Sequence, residues 1–101
     1  MIPITIKISD VSLKNLGKWN DMDTREAVAE RIRELCRLKG ITPNGLSNLS
    51  GVPQATVKSI LNGESKNPGV VTLKKLCDGL EMTLEEFFAT DSFNSLEQEI
   101  K

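Results

Sequence analysis

The chain has no histidine and no tyrosine, only two cysteines, and aromatic residues make up just 4% of its 101 residues. Without histidine there is no imidazole to act as a general base, and two thiols fall short of the four ligands typical of a structural zinc site. No serine lies in a nucleophile motif. We therefore predict that the protein is not an enzyme and holds no metal or cofactor.

Long apolar runs are also missing. No segment approaches the 18 residues that a membrane-spanning helix needs, and the N-terminus lacks a basic start followed by an apolar stretch. We expect a cytoplasmic protein that makes no use of a membrane. With 39% hydrophobic and 27% charged residues, the composition suits one globular domain whose core is mostly Leu, Ile and Val.

Positive and negative residues nearly balance, with a formal net charge of −1, but they are unevenly distributed along the chain. Residues 24–66 carry seven Lys and Arg against four acids, whereas residues 67–101 carry three Lys against seven acids. The excess positive charge in the first of these segments would favour contact with phosphates. Because this excess is small, we expect a monomer to bind nucleic acid weakly.

The first 22 residues differ from the rest. Isoleucine alternates with other residues over Ile2–Ile8, a period of two that indicates a β-strand. A lone strand needs a partner, such as the same strand of a second subunit; the alternative is a loosely ordered arm. Met22 could be an alternative start site, and Trp19 could pin the arm to the domain.

Capping residues and apolar spacing beyond Met22 predict an all-α bundle of five helices. The first spans about residues 24–39, capped by Asp23 with Glu26 and ended by Gly40. A second follows Thr42 and ends at Gly51; a third spans about 53–61, a fourth about 70–80, and a fifth follows Thr83. Residues expected to face the core are Val28, Ile32, Leu35, Cys36, Leu46, Leu49, Val57, Ile60, Leu61, Leu73, Leu76, Cys77, Leu80, Leu84, Phe87 and Phe88.

The two cysteines and the end of the chain each leave two interpretations. Cys36 and Cys77 lie on apolar helix faces, which favours small core residues over a redox switch. Residues 90–101 are acidic, with Phe93, Leu96 and Ile100 at near-helical spacing, and form either a short sixth helix or a frayed tail.

Two short helices joined at Gly51 have the layout of a helix-turn-helix, whose second helix is offered to the DNA major groove. A longer motif includes these two helices: Leu46-x-x-Leu49-Ser50-Gly51-Val52-Pro53-x-x-Thr56-Val57-x-x-Ile60-Leu61-Asn62-Gly63, followed by Asn67-Pro68 and Thr83-Leu84-x-Glu86-Phe87-Phe88. With this motif the chain resembles phage-repressor-type domains, the Cro/repressor or XRE family. The resemblance covers about residues 24–89 and implies a compact lambda-repressor-like bundle. It divides the chain into an arm or strand (1–22), a helix-turn-helix domain (23–89) and an acidic tail or short helix (90–101).

The resemblance also implies which residues contact DNA. The base-contacting positions would be Gln54, Ala55 and Ser59, with Thr56 and Lys58 near the groove wall. Phosphates would be contacted around Pro43 and Asn44 and by Asn62 and Lys66. Two positions depart from the family pattern: Pro43 and Asn44 stand where many members place a phosphate-binding Gln, and Ser47 replaces the usual Ala.

Taken alone, these residues also have ordinary explanations. Gln54 suits bidentate bonding to adenine but could be a solvated residue at a helix start, and Lys58 could be a surface lysine. Asn62 could cap its helix. We predict a DNA-binding transcriptional regulator that binds double-stranded DNA as a homodimer. The alternatives are an antitoxin, whose acidic tail holds a basic protein partner, and an adaptor that has lost DNA binding.

Overall fold

The computed structural model describes residues 23–65 and 67–100, and all regular secondary structure in these two ranges is helical. The helices are α1 (Thr24–Lys39), α2 (Pro43–Ser50), α3 (Gln54–Leu61), α4 (Val70–Gly79), α5 (Leu84–Phe88) and α6 (Asp91–Asn94). The all-α prediction is confirmed, and the end of the chain contains a short sixth helix. The strand predicted at Ile2–Ile8, Trp19 and Lys66 lie outside the described residues.

Reciprocal caps begin the first and fifth helices where the sequence predicts them. The Asp23 carboxylate accepts from the Glu26 N–H at 2.8 Å, and the Glu26 carboxylate accepts from the Asp23 N–H at 3.3 Å. Thr83 and Glu86 form the same pair at the start of α5. At the end of α1, Gly40 adopts a left-handed conformation with φ 67°, which a glycine allows at little cost.

A single apolar cluster joins the helices. Its fully buried members include Phe87, Ile32, Leu46, Ile60, Leu76, Leu80, Val57 and Cys77. Val52, Leu73 and the remaining apolar residues of the inner face of α1 complete it, while Leu61, Leu84 and Phe93 are partly buried against its edge. Most residues predicted to face the core therefore do so.

The predicted core included two residues that the structure places at the surface. Leu49 is 60% exposed, because Leu46 and Ser47 already fill the inner side of the short α2; it borders a shallow groove beside Ile41 instead. Phe88 is 36% exposed, because Phe87 takes the fully buried position of α5. Its ring packs edge-on against Phe87 and Phe93, with centroids 4.9 and 4.8 Å away.

Arg31 joins α1 to the end of α5. Its Nε donates to the Phe87 carbonyl at 2.7 Å and its Nη2 to the Glu86 carbonyl at 2.8 Å, while Nη1 pairs with Glu34 at 2.9 Å. Only 13% of the Arg31 side chain is exposed. The arginine therefore satisfies carbonyls at a helix C-terminus that would otherwise lack partners.

The C-terminal ends of α2 and α4 are in very close contact. A Cβ atom placed on Gly79 would lie 3.0 Å from the backbone nitrogen, Cα and Cβ of Ser50. Only a residue without a side chain permits this approach. The contact holds α2 against the core immediately before the turn that leads into α3.

Candidate nucleic-acid interface

The turn between α2 and α3 is held by its own backbone and by one buried hydroxyl. Gly51 has φ 76°, and its N–H donates to the Ser47 carbonyl at 2.9 Å. The Ser47 hydroxyl donates to the Val52 carbonyl at 2.6 Å, and Val52 itself is buried. Sequence analysis noted that Ser47 replaces the usual alanine but missed this hydrogen bond, which an alanine could not make.

One side of α3 is anchored and the other is open. Val57 and Ile60 are buried, at 1% exposed each, whereas Gln54, Ala55 and Lys58 are exposed. Of the residues predicted to lie on or near the outer face, Ser59 and Thr56 are half-buried. Three neighbouring side chains of different chemistry, an amide, a methyl group and an ammonium, therefore extend from the open side.

The beginning of α3 has no side-chain cap. Pro53 precedes the helix and forms no side-chain hydrogen bond with it, while the Pro53 carbonyl accepts the N–H groups of Thr56 and Val57 at 2.9 and 3.1 Å. The first N–H groups of a helix have no carbonyl partner within the helix and carry partial positive charge. The free N–H groups at this end of α3 can therefore donate to an external acceptor or anion next to the Gln54 side chain.

The first turn of α2 offers a second polar edge. Thr42 caps the helix by accepting from the Gly45 N–H at 3.0 Å, and Pro43 and Asn44 are exposed. At the far end of α3, Asn62 is exposed in the capping position. These three lie on the surface, as phosphate contact would require, while Lys66 lies outside the described residues.

Much of the positive charge on α1 is neutralised within the domain. Arg25 lies 3.4 Å from Asp23, Arg31 pairs with Glu34, and Arg33 lies 3.1 Å from Glu30. Within residues 23–65 and 67–100, Lys58 has no carboxylate within ion-pair distance, so its ammonium remains free for another partner.

Arg33 has a further contact that bears on α3. Its guanidinium donates to the carbonyl of Leu61, the last residue of the helix. A cation at a helix C-terminus is favourable both as a hydrogen-bond donor and toward the helix dipole. Arg33 therefore fixes the end of α3 to the side of α1.

The two cysteines, unlike the exposed residues of this interface, are buried in the core. Cys36 and Cys77 are both free and buried, and burial raises the pKa of each thiol above its ordinary value. Raised pKa values favour the neutral thiol, as expected of core residues. Across the described ranges, no cluster of three or more His, Cys, Asp or Glu side chains could hold a metal ion.

Comparison with known proteins agrees with this arrangement. The sequence profile of the Cro/C1-type HTH DNA-binding domain matches residues 31–91, more than half of the chain. The chain belongs to this family. The resemblance inferred from the helix-turn-helix motif is thereby confirmed, and α2 and α3 are the two helices of that motif.

One curated relative matches more than half of the chain. Over 60 residues the chain is 37% identical to the uncharacterized HTH-type transcriptional regulator RghRB of Bacillus subtilis (strain 168), covering 59% of the chain and 43% of that protein. The chain therefore spans less than half the length of this curated relative.

Two solved structures have similar folds. The crystal structure of prophage Lp1 protein 11 superposes with a TM-score of 0.65 at 34% identity, covering 72% of this chain and 97% of that one. An HTH_3 family transcriptional regulator from Vibrio cholerae gives a TM-score of 0.62 at 32% identity, covering 67% and 38% of the two chains. Separately, no helix in the described part of the chain is long and apolar enough to cross a membrane.

Proposed function

We propose that this protein is a sequence-specific transcriptional regulator that inserts α3 into the major groove of double-stranded DNA. The observation that carries the proposal is the two-sided character of α3. Val57 and Ile60 fix one side in the core, while Gln54 and Lys58 extend from the other. A helix held in this way can enter the groove without disturbing the domain.

The exposed side chains have the chemistry that base contact requires. The Gln54 amide can donate to N7 of adenine and accept from its N6 amino group, a bidentate match worth about 1–3 kcal/mol of discrimination. The Ala55 methyl can pack against a thymine methyl. Ser59 can donate or accept, so it would discriminate less sharply.

Phosphate contacts would flank α3 on both sides. In the exposed first turn of α2, Asn44 would donate to one backbone strand through its N–H and its side-chain amide, while Pro43, which has no N–H, would pack beside the same phosphate. Asn62 and Lys66 would contact phosphates beyond the other end of α3, with Thr56 and Lys58 close to the groove wall. Since the excess of positive charge over residues 24–66 is small, the affinity should fall with added salt but from a modest starting value.

Pairing of two chains would supply the affinity that one lacks. A dimer would present two α3 helices to half-sites about one helical turn, roughly 34–36 Å, apart. The Ile2–Ile8 segment and the end of the chain around Phe93–Ile100 are the two candidate dimer contacts. Acting on DNA, the protein would work in the cytoplasm and would need no catalytic group or cofactor.

Selection of bound sequences from random DNA tests the proposal and yields the operator. The Gln54→Ala variant should then bind that operator about 5- to 150-fold more weakly, the equivalent of roughly 1–3 kcal/mol, and should lose preference at one base position. Glu85→Gln serves as the control, because Glu85 is exposed on α5 and lies outside the proposed DNA and dimer contacts. Enrichment of no sequence, or equal effects of the two variants, would contradict the proposal.

A second candidate function is supported by the charge at the end of the chain. Asp91, Glu97 and Glu99 are all exposed, and three of the five cations of α1 are paired with carboxylates. These features suit an antitoxin or adaptor that holds a small basic protein. A stable complex with such a protein, together with failure of the DNA selection, would favour this alternative.

A further inference from the structure

A groove on the side of the domain opens where the described chain begins. It has a volume of about 570 Å³ and lies between the start of α1, the loop before α4, and α5. Val28 and Leu73, both largely buried, form its apolar floor beside the exposed Phe88 ring, and Asp23, Arg25 and Glu99 provide charge at the edge. No residue of α3 lines it.

One polar atom in the groove lacks a partner. The Nε of Arg25 is buried and has no hydrogen-bond partner among residues 23–65 and 67–100, although a terminal nitrogen of the same side chain reaches Asp23. A buried donor without an acceptor is costly, so such atoms usually mark a position that another group fills. A backbone carbonyl would satisfy it.

The sequence before Asp23 has the right side chains within reach. Leu16, Trp19 and Met22 recur at intervals of three, and Lys18 stands next to Trp19. Trp19 is four residue steps before Asp23, and an extended chain covers about 13–14 Å in four steps. An indole has the large apolar surface, about 150–250 Å² when buried, that suits an open groove of this size.

We propose that the groove is the docking site of the chain's own N-terminal segment, with the Trp19 indole against Val28, Leu73 and Phe88. A backbone carbonyl of the segment then accepts from the Arg25 Nε, and the Lys18 ammonium lies near the Glu99 carboxylate. Docking here leaves α3 open. It also fixes the point from which residues 1–18, including the Ile2–Ile8 alternation, leave the domain.

Fluorescence of the full chain gives a direct test, because Trp19 is the only tryptophan. In the native protein we expect acrylamide to quench Trp19 several-fold less than in the urea-unfolded chain. Phe88→Ser should raise quenching toward the unfolded value. Leu38→Ser is the matched control: Leu38 is 73% exposed and lies ten residues along α1 from Val28, about 15 Å away. Native quenching equal to that of the unfolded chain, or equal effects of the two variants, would overturn the proposal.

Nuclear Overhauser effects give a second readout that needs no variant. We expect cross-peaks between the Trp19 indole and methyl groups of Val28 and Leu73 in the 11.2 kDa chain. Their absence would refute the docking. In a mixture of labelled and unlabelled chains, cross-peaks that are purely intermolecular would assign the groove to the segment of a second copy and would also overturn the proposal. Neither measurement involves DNA, so each is independent of the proposed function.

Discussion

Replacing Gly79 by alanine should destabilise the domain, although alanine is the better helix former. Alanine gains at most about 1 kcal/mol over glycine inside a helix, and less at Gly79, which is the last residue of α4. The added Cβ would lie 3.0 Å from three atoms of Ser50. Carbon atoms prefer separations of about 3.5–4.0 Å, so α2 and α4 would have to move apart by several tenths of an ångström.

The magnitude follows from these opposing terms. Forcing an extra carbon into a well-packed contact costs about 1–3 kcal/mol. Subtracting the small gain in helix propensity leaves an expected loss of about 1–2 kcal/mol, which corresponds to a decrease in Tm of several degrees for a domain of this size. Because Ser50 precedes the Gly51 turn, the separation would also displace the start of α3.

Gly45→Ala provides the matched control, since the same substitution in α2 meets only ordinary contacts, 3.4 Å to the Thr42 hydroxyl oxygen and 3.7 Å to the Ile41 Cβ. It should be neutral or stabilising by up to about 1 kcal/mol. Urea unfolding followed by circular dichroism measures the free energy of unfolding of both variants. An equal slope of that free energy against urea concentration shows that the two unfolding transitions are comparable. If Gly79→Ala proves as stable as the original chain, the close packing of α2 and α4 does not have the energetic importance argued above.

Three further predictions concern other contacts. Ser47→Ala should lower the free energy of unfolding by about 1–2 kcal/mol, because it leaves the buried Val52 carbonyl without its donor; a stabilised variant would contradict this. Arg31→Met should cost roughly 2–3 kcal/mol in thermal melts through the lost carbonyl bonds, whereas Arg37→Met, at an exposed position, should cost little. Burial raises the pKa of Cys36 and Cys77, so the folded chain keeps both thiols neutral where the unfolded chain ionises them. That stabilisation is complete below the ordinary thiol pKa and is lost as pH rises through the folded pKa. Stability should therefore decline at alkaline pH, and less so in the doubly alanine-substituted variant; equal declines would refute the assignment.

Local signals account for what the sequence predicted well. Asp23 with Glu26 and Thr83 with Glu86 form short-range caps whose spacing is visible in the sequence. Gly40 and Gly51 mark helix ends through a left-handed conformation that glycine adopts more easily than other residues. These signals involve residues three or four positions apart. Element boundaries and the helix-turn-helix follow from them.

Contacts between distant residues were the ones that sequence analysis missed. Sequence analysis assigned no contact to Arg31, because its acceptors, two carbonyls of α5, carry no sequence signature. Leu49 and Phe88 were predicted to be buried because they are apolar at helical spacing, but the core has room for only one large residue at each place, Leu46 and Phe87. The DNA contacts of Gln54, Ala55 and Ser59 remain predictions, because no feature of an unbound helix identifies the base it meets.

The two ends of α3 are attached to different parts of the domain. The peptide before it is held by the Ser47 hydroxyl, and its last carbonyl by the Arg33 guanidinium. A helix clamped at both ends cannot tilt to relieve a poorly matched base pair, so under the proposed function each mismatch would retain its full energetic penalty. New operator preferences could then arise by exchanging the exposed side chains alone, while the clamps keep the geometry of presentation constant.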